Sequence, residues 1–216
     1  MKAVQKPVIL VNATGCLEVA STIYPDTAWK VPWVHTLFEN IAAVASGIEA
    51  SLRKEGKADM VDIIAFGGDG GTFDIGIQAL SGALERKHDF TYICYDNEAY
   101  MNTGIQRSGA TPYGAATTTT PAGSKIPGKT DAKKDLIGVC VAHGVEYAAT
   151  ASIAFWNDYI TKVRRAAAVK GPAVIHVLAP CPLGWRFDTS QTIKLAKLAV
   201  QTRYFPLYEV VKGNYK

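Results

Sequence analysis

The amino-acid sequence predicts an α/β fold with a doubly wound, mostly parallel sheet. Two observations lead to this prediction: short β-branched segments alternate with longer helical ones, and the strand segments are apolar throughout. Continuous apolar strands are typical of parallel sheets that are covered by helices on both faces. With 216 residues, 48% of them hydrophobic, the chain is expected to form a single domain over residues 1–216 with a substantial core.

Five strands and five helices are predicted in alternation. Segments such as PVILVN, VDIIAF, TYICY and AVIHVL have the pattern of strands buried on both faces. The predicted strands are 7–12, 61–66, 91–95, 145–149 and 173–178. The predicted helices are 35–54, 74–86, 131–143, 154–169 and 190–202.

Two segments interrupt the alternation. Residues 100–130 have no period and are rich in glycine, threonine, serine and proline, with Thr117–Thr120 followed by Pro121. A loop of this length is usually functional or disordered, and its few charges favour an ordered, functional loop. The second segment, 179–188 (APCPLGWRFD), follows the last predicted strand. Both are expected at the rim where the carboxyl ends of parallel strands form a ligand crevice.

Composition excludes several classes of protein. The net charge is only +4 and the basic residues are scattered, which argues against nucleic-acid binding but is compatible with an acidic partner. The N-terminal residues lack the pattern of a signal peptide, and no apolar run is long enough to cross a bilayer. A cytoplasmic protein with no membrane association is expected. The four cysteines are too far apart in sequence for a zinc ribbon or a CxxC motif.

A glycine-rich turn follows the predicted strand 61–66. Its sequence is Gly67-Gly68-Asp69-Gly70-Gly71-Thr72, and a helix is expected to begin near Asp74. Glycines between a strand and a helix let the backbone approach a diphosphate, whose charge the helix N–H groups favour. The Asp69 carboxylate would repel a diphosphate unless a divalent cation lies between them, and magnesium suits that position.

A second magnesium ligand is expected at the end of the next strand. After Gly68-Asp69-Gly70 there are 26 residues and then Asn97, which follows the strand 91–95. The Asn97 amide oxygen and a carbonyl near Ala99 can complete the protein's share of the ligands. The alternative is structural: the glycines form only a tight turn and Asn97 caps a helix.

At these residues the sequence resembles a known family. The spacing from GDG to Asn97 is the thiamine-diphosphate signature, and residues 95–123 (YDNEAYMNTGIQRSGATPYGAATTTTPAG) resemble the β subunits of 2-oxo acid:ferredoxin oxidoreductases that act on pyruvate or on branched-chain 2-oxo acids. Further phrases resemble the family in the same order along the chain: GCLE at 15–18, FEN at 38–40, ASGIEA at 45–50 and APCP at 179–182. The resemblance covers nearly the whole chain.

The resemblance implies a thiamine-diphosphate-binding fold, with the cofactor held between this subunit and a second one. Asp69, the Asn97 side chain and the Ala99 carbonyl would bind magnesium, while Gly68 and Gly70 would approach the diphosphate. The glutamate that activates the aminopyrimidine belongs to the partner subunit in this family, and it is not assigned to this chain.

Asn102 and Thr103 are implied to lie near the thiazolium ring and the bound 2-oxo acid. Asn102 can donate a hydrogen bond to the charge that develops there, which makes it the candidate catalytic residue. A loop-stabilising Asx turn is its alternative role. For Gln106 and Arg107 a structural role in the loop is preferred to substrate contact.

An iron–sulfur cluster is also implied. Of the four cysteine ligands of a family [4Fe–4S] cluster, Cys16 and Cys181 match two. The other two belong to an N-terminal cysteine pair that this sequence lacks, so the chain is not expected to ligate a complete cluster alone. The pair is expected to have been lost or to lie on another polypeptide. Cys94 and Cys140 are expected to be buried thiols.

The expected function is therefore that of the β subunit of a pyruvate synthase. This enzyme oxidatively decarboxylates pyruvate to acetyl-CoA and CO2 and passes electrons through iron–sulfur clusters to ferredoxin. Partners would be α, γ and δ-type subunits, ferredoxin and coenzyme A. Four alternatives stay open: a subunit specific for branched-chain 2-oxo acids, one specific for oxalate, a non-redox thiamine-diphosphate carboligase or decarboxylase, and a truncated remnant that binds no cofactor.

Overall fold

The computed structural model describes residues 2–216, which contain one eight-stranded sheet. The strands are β1 Val8–Ala13, β2 Trp33–Thr36, β3 Asp62–Gly68, β4 Thr91–Asp96, β5 Tyr147–Ser152, β6 Ala173–Leu178, β7 Glu209–Val211 and β8 Asn214–Tyr215. The helices are α1 Cys16–Ser21, α2 Ile41–Lys54, α3 Ile77–Glu85, α4 Leu136–Ala142, α5 Trp156–Ala168, α6 Pro182–Trp185 and α7 Thr192–Gln201. A π-helix covers Gly70–Ile75, and a 3₁₀ turn covers Thr189–Gln191.

The strand order is β2-β1-β3-β4-β6-β5-β7-β8. The pairs among β1 to β6 are all parallel, whereas β7 and β8 form an antiparallel hairpin that joins the sheet beside β5. Parallel strands place all their carboxyl ends on one edge, which is where ligands bind in open α/β sheets.

Helices cover both faces of this sheet. On β3, Ile63 and Ala65 belong to a core packed against α2, α3 and α4, while Ile64 between them belongs to a second core packed against α5. Successive side chains of a strand point to opposite faces, so both faces of β3 are buried. The predicted doubly wound α/β fold is confirmed.

The predicted helix 35–54 is wrong at its start. His35 lies in the strand β2, and α2 begins only at Ile41. The strands β2, β7 and β8 and the helices α1 and α6 have two to six residues each, which is too short to show a period in the sequence.

The helix expected from Asp74 begins earlier. The π-helix starts at Gly70, directly after β3, with Asp69 as its N-cap residue. A single π turn closes i→i+5 hydrogen bonds and has no sequence period of its own, but such turns are frequent at functional sites. The helix expected over 131–143 begins at Leu136, where the Asp135 carboxylate accepts a hydrogen bond from the Gly138 N–H at 2.9 Å.

The loop 100–130 contains no helix or strand beyond an isolated bridge between Tyr100 and Gln106. It is nevertheless packed into the protein. Lys129 is 1% exposed, and its ammonium donates to the carbonyls of Gly109 at 3.3 Å and Thr111 at 2.6 Å. These bonds tie the end of the loop to its middle.

An ion pair lies at the edge of the sheet formed by the β7–β8 hairpin. Glu209 in β7 accepts a hydrogen bond from the Tyr147 hydroxyl at 2.7 Å and pairs with Arg165 at 2.5 Å. Burial alone would raise the pKa of Glu209, but Arg165 and Tyr147 outweigh it and lower that pKa.

Among residues 2–216, no helix combines the length and the apolar character needed to cross a membrane.

Candidate functional site

A cleft of about 270 Å³ opens at the carboxyl ends of β1, β3 and β4. Its walls come from the segments that follow these strands, including Gly15, Gly68, Asn97 and Met101. The segment after β6 reaches the same place, because the Trp185 ring N–H donates to the Asn97 carbonyl at 3.0 Å. The crevice expected from the sequence therefore lies where the two irregular segments meet.

The glycines of the turn after β3 make room in this cleft. A Cβ atom on Gly70 would lie 2.5 Å from a ring carbon of Tyr100, and one on Gly68 would lie 3.4 Å from the ring of Tyr95. The Gly70 contact is too close for any side chain. Both glycines line the cleft, as expected for residues that let a ligand approach the backbone.

Asp69 lies on the floor of the cleft and is 1% exposed. Its Oδ2 accepts a hydrogen bond from the Ser108 hydroxyl at 2.5 Å, and its Oδ1 lies 3.4 Å from the Asn97 backbone nitrogen. Burial, reinforced by the nearby Asp96 carboxylate, raises the pKa of Asp69 well above its ordinary value. A cation beside Asp69 would oppose this rise.

Three oxygen atoms converge at Asp69. The side-chain oxygen of Asn97 lies 2.8 Å from the Ala99 carbonyl oxygen and 3.0 Å from Asp69 Oδ1, so it faces acceptor atoms only. Turning the amide over would let its NH2 group donate to both oxygens. In the present orientation the amide nitrogen donates to Cys16 Sγ at 3.7 Å.

A small divalent cation between these oxygens is the second explanation of their convergence. Adjacent ligands of octahedral magnesium, at 2.0–2.1 Å from the metal, are separated by about 2.9 Å. The distances of 2.8 and 3.0 Å between the oxygens match this spacing. One carboxylate, one amide oxygen and one carbonyl are ligands that magnesium accepts, so the residues present fit the ion. No group of three His, Cys, Asp or Glu side chains forms a metal site within residues 2–216.

The charges around the cleft also favour a cation. Asp69, Asp96 and Glu98 are all buried, at 1%, 0% and 6% exposure. The Lys133 ammonium binds Asp96 at 2.6 Å and Glu98 at 2.8 Å. Three carboxyl groups thus lie around one ammonium, and a divalent cation beside them would oppose their mutual repulsion.

Several residues at this site escaped the sequence predictions. His176 binds Asp96 at 2.7 Å, and the Tyr204 hydroxyl lies 2.8 Å from both oxygens of Glu98. Lys133, His176 and Tyr204 are scattered along the chain in ordinary contexts, so only the fold reveals that they meet. The sequence offered one signal of this cluster: the proposed ligand Asn97 has an acidic residue on each side, Asp96 and Glu98.

Asn102 and Thr103 lie at the mouth of the cleft, and both are exposed. The Thr103 hydroxyl donates to the Gln106 side chain at 2.5 Å, and the Gln106 amide donates back to the Thr103 carbonyl at 2.7 Å. Gln106 thus has the structural role that was preferred for it. Arg107 forms a long ion pair with Asp131, at 3.7 Å.

The cysteines divide into two kinds. Cys94 and Cys140 are fully buried in the core, as expected. Cys16 lines the cleft, Cys181 directly precedes α6, and both are half-buried. Burial raises the pKa of Cys16, and the charge of the Cys181 thiol adds to this effect.

Comparison with known proteins agrees with this geometry. Residues 13–177 match the family described as "Thiamine pyrophosphate enzyme, C-terminal TPP binding domain". The chain is 56% identical to the pyruvate synthase subunit PorB of Methanocaldococcus jannaschii, with 100% of this chain and 74% of the relative covered. It is 50% identical to the ketoisovalerate oxidoreductase subunit VorB of Pyrococcus furiosus, with coverage of 100% and 71%.

A solved structure has the same fold. It is a 2-oxoglutarate:ferredoxin oxidoreductase from Magnetococcus marinus, which superposes with a TM-score of 0.70 at 23% sequence identity. The superposition covers 88% of this chain and 58% of the matched chain of that enzyme. The family match spans most of the chain, and the match to the PorB subunit covers all of it. The chain therefore belongs to the 2-oxo acid:ferredoxin oxidoreductase family, as the subunit that carries its thiamine pyrophosphate-binding domain.

Proposed function

We propose that this chain is the thiamine-diphosphate-binding subunit of a pyruvate synthase. The identity of 56% to a PorB subunit supports pyruvate as the substrate. The observation that carries the proposal is the convergence of the Asp69, Asn97 and Ala99 oxygens. It supports a magnesium ion at the floor of the cleft, where the diphosphate would be bound, and it disfavours a remnant that binds no cofactor.

Five residues of the cleft have a defined role in this proposal. Asp69, the Asn97 amide oxygen and the Ala99 carbonyl hold magnesium. Gly68 and Gly70 allow the diphosphate to approach the backbone. Thiamine diphosphate supplies the electron sink for decarboxylation of a 2-oxo acid, while the protein supplies position and electrostatics.

Asn102 is the proposed catalytic residue of this chain. Its exposed amide at the mouth of the cleft can donate a hydrogen bond to the oxygen of the 2-oxo acid on which negative charge develops. The Gln106 side chain holds Thr103 beside it through two hydrogen bonds, which fixes the backbone of this part of the mouth.

Cys16 and Cys181 are proposed as two ligands of a [4Fe–4S] cluster that carries electrons away from the cofactor. The electrostatic effect of Cys181 on Cys16, which lines the cleft, supports this role, and two further thiolates would come from elsewhere in the enzyme. We expect Cys181→Ser to lower the iron content and the visible absorbance of the assembled enzyme. Cys140→Ser is the matched control, since Cys140 is fully buried in the core. An unchanged iron content in Cys181→Ser would exclude Cys181 as a ligand.

The full reaction in this proposal transfers the acyl group to coenzyme A and the electrons to ferredoxin, with other subunits completing the enzyme. The decisive experiment measures ferredoxin reduction by the chain assembled with its partner subunits, in the presence of coenzyme A. We expect a higher kcat/KM with pyruvate than with 2-oxoisovalerate or 2-oxoglutarate.

The second candidate is a branched-chain enzyme, which is favoured by the 50% identity to a ketoisovalerate oxidoreductase subunit. A higher kcat/KM with 2-oxoisovalerate would select it. Carboligation or decarboxylation without ferredoxin reduction, in an assembly free of iron, would select a non-redox thiamine-diphosphate enzyme. No turnover by a well-folded assembly would leave the remnant as the better account.

A further inference from the structure

The segment between β4 and the loop 100–130 has an unusual backbone. It comprises residues 96–99, here named the metal-binding turn, and it presents both the Asn97 side-chain oxygen and the Ala99 carbonyl to Asp69. Glu98, between these two residues, has a φ of +71°. Residues other than glycine seldom adopt this left-handed backbone conformation, because their Cβ atom crowds the backbone. Something must therefore hold Glu98 in place.

The Glu98 side chain points away from the cleft into a buried cluster. Its carboxylate binds the Lys133 ammonium at 2.8 Å, and the Tyr204 hydroxyl lies 2.8 Å from each of its oxygens. Lys133 also binds Asp96 at 2.6 Å, so one ammonium holds the carboxylates on both sides of Asn97. Asp96 Oδ1 in turn accepts a hydrogen bond from the Glu98 backbone N–H at 2.8 Å.

The anchors come from distant parts of the chain. Lys133 precedes α4, and Tyr204 follows α7. Trp185, at the end of α6, adds a hydrogen bond to the Asn97 carbonyl. None of these three side chains is among the proposed ligands: Lys133 and Tyr204 hold the Glu98 side chain, and Trp185 holds the peptide before it. The Thr111 hydroxyl holds the peptide after it, by donating to the Glu98 carbonyl at 2.5 Å.

We propose that Lys133 and Tyr204 are positioning residues for cation binding: by holding Glu98 in its left-handed conformation, they direct the Asn97 and Ala99 oxygens towards Asp69. The inference rests on the magnesium site proposed above. Residues that orient metal ligands typically contribute a factor of about 10 to 100 to metal affinity. Loss of either anchor should therefore weaken the metal site while Asp69, Asn97 and Ala99 are all still present.

The test measures metal affinity rather than turnover. The chain is assembled with its partner subunits and saturated with thiamine diphosphate, and the binding of Mn²⁺, in place of Mg²⁺, is followed by the EPR signal of the free ion. We expect Tyr204→Phe to raise the Mn²⁺ dissociation constant about tenfold and Lys133→Met to raise it further, because Lys133 holds two carboxylates.

Matched controls distinguish positioning from a general loss of stability. Tyr147→Phe removes a hydroxyl that also donates to a glutamate, at 2.7 Å, but on the far edge of the sheet. Lys162→Met removes a buried lysine that pairs with Asp158 at 2.8 Å on α5. Both controls should lower the thermal unfolding midpoint like their counterparts and leave the Mn²⁺ dissociation constant unchanged.

The coordination of the bound ion gives a second measurement. The EPR spectrum of bound Mn²⁺ should broaden in Tyr204→Phe, since one or both of the directed oxygens is less well placed. Equal dissociation constants in wild type, Tyr204→Phe and Lys133→Met would overturn the positioning role. A wild-type enzyme that binds thiamine diphosphate but no Mn²⁺ or Mg²⁺ would instead overturn the metal site itself.

Discussion

The Asp69 carboxylate should make the stability of this protein depend on its ligands. Asp69 carries the one carboxylate among the three converging oxygens, and it is buried close to the Asp96 carboxylate. Magnesium and thiamine diphosphate at about 100 times their dissociation constant should stabilise the folded state by about 2.7 kcal/mol. For a chain of this size, that corresponds to a rise of about 5–11 °C in the apparent unfolding midpoint.

Asp69→Asn keeps the size of the side chain and removes its charge. We expect this variant, without ligands, to unfold at the wild-type temperature or above it, because a buried charge that lacks a partner is costly. The rise on adding magnesium and thiamine diphosphate should disappear. Asp62→Asn, at the opposite end of the same strand, is the control and should retain the rise. Differential scanning calorimetry of the assembled enzyme measures the unfolding midpoint with and without the ligands. A rise of several degrees in Asp69→Asn would refute the assignment of Asp69 as a metal ligand.

Three further predictions concern other residues. Gly70→Ala should weaken thiamine-diphosphate binding in calorimetry, because its Cβ would lie 2.5 Å from the Tyr100 ring, whereas Gly123→Ala, with no atom within 4 Å, should bind normally. Asn102→Ala should lower kcat about a hundredfold while the cofactor dissociation constant stays unchanged, and an equal loss of cofactor affinity would argue against a role in the chemical step. Glu209 has a lowered pKa, so its ion pair should stabilise the fold above about pH 4.5 and lose this effect as the pH falls further. Glu209→Gln should therefore be about 0.5–1 kcal/mol less stable than wild type in urea at neutral pH and equal to it in acid.

The long strands and helices could be predicted from sequence because their apolar residues follow a recognisable pattern. Segments such as VDIIAF are apolar on both faces, and the structure buries both faces of β3. The edge strands gave no such signal. Four residues in β2 and two in β8 are too few to display a period, and their pairing is decided by neighbours that are distant in sequence.

The candidate site likewise contains residues that could be predicted from the sequence and residues that could not. Asp69, Asn97 and Ala99 could be predicted because two neighbouring parallel strands must end at the same edge, so their first loop residues meet. Lys133 was placed within a predicted helix and instead lies before α4, with its ammonium between two buried carboxylates. Such a contact depends on three-dimensional packing, and no local pattern encodes it.

The two ends of the sheet bear on how this subunit can assemble with others. At one end lies β2, with four residues, and at the other lies β8, with two, turned back antiparallel onto β7. Long exposed edge strands invite the addition of a strand from another chain, and short ones offer few free backbone groups for it. Assembly that extends the sheet across subunits is thus disfavoured at both ends. The contacts that join this chain to its partners should be made by side chains on helices and loops, which leaves their specificity open to change without altering the sheet.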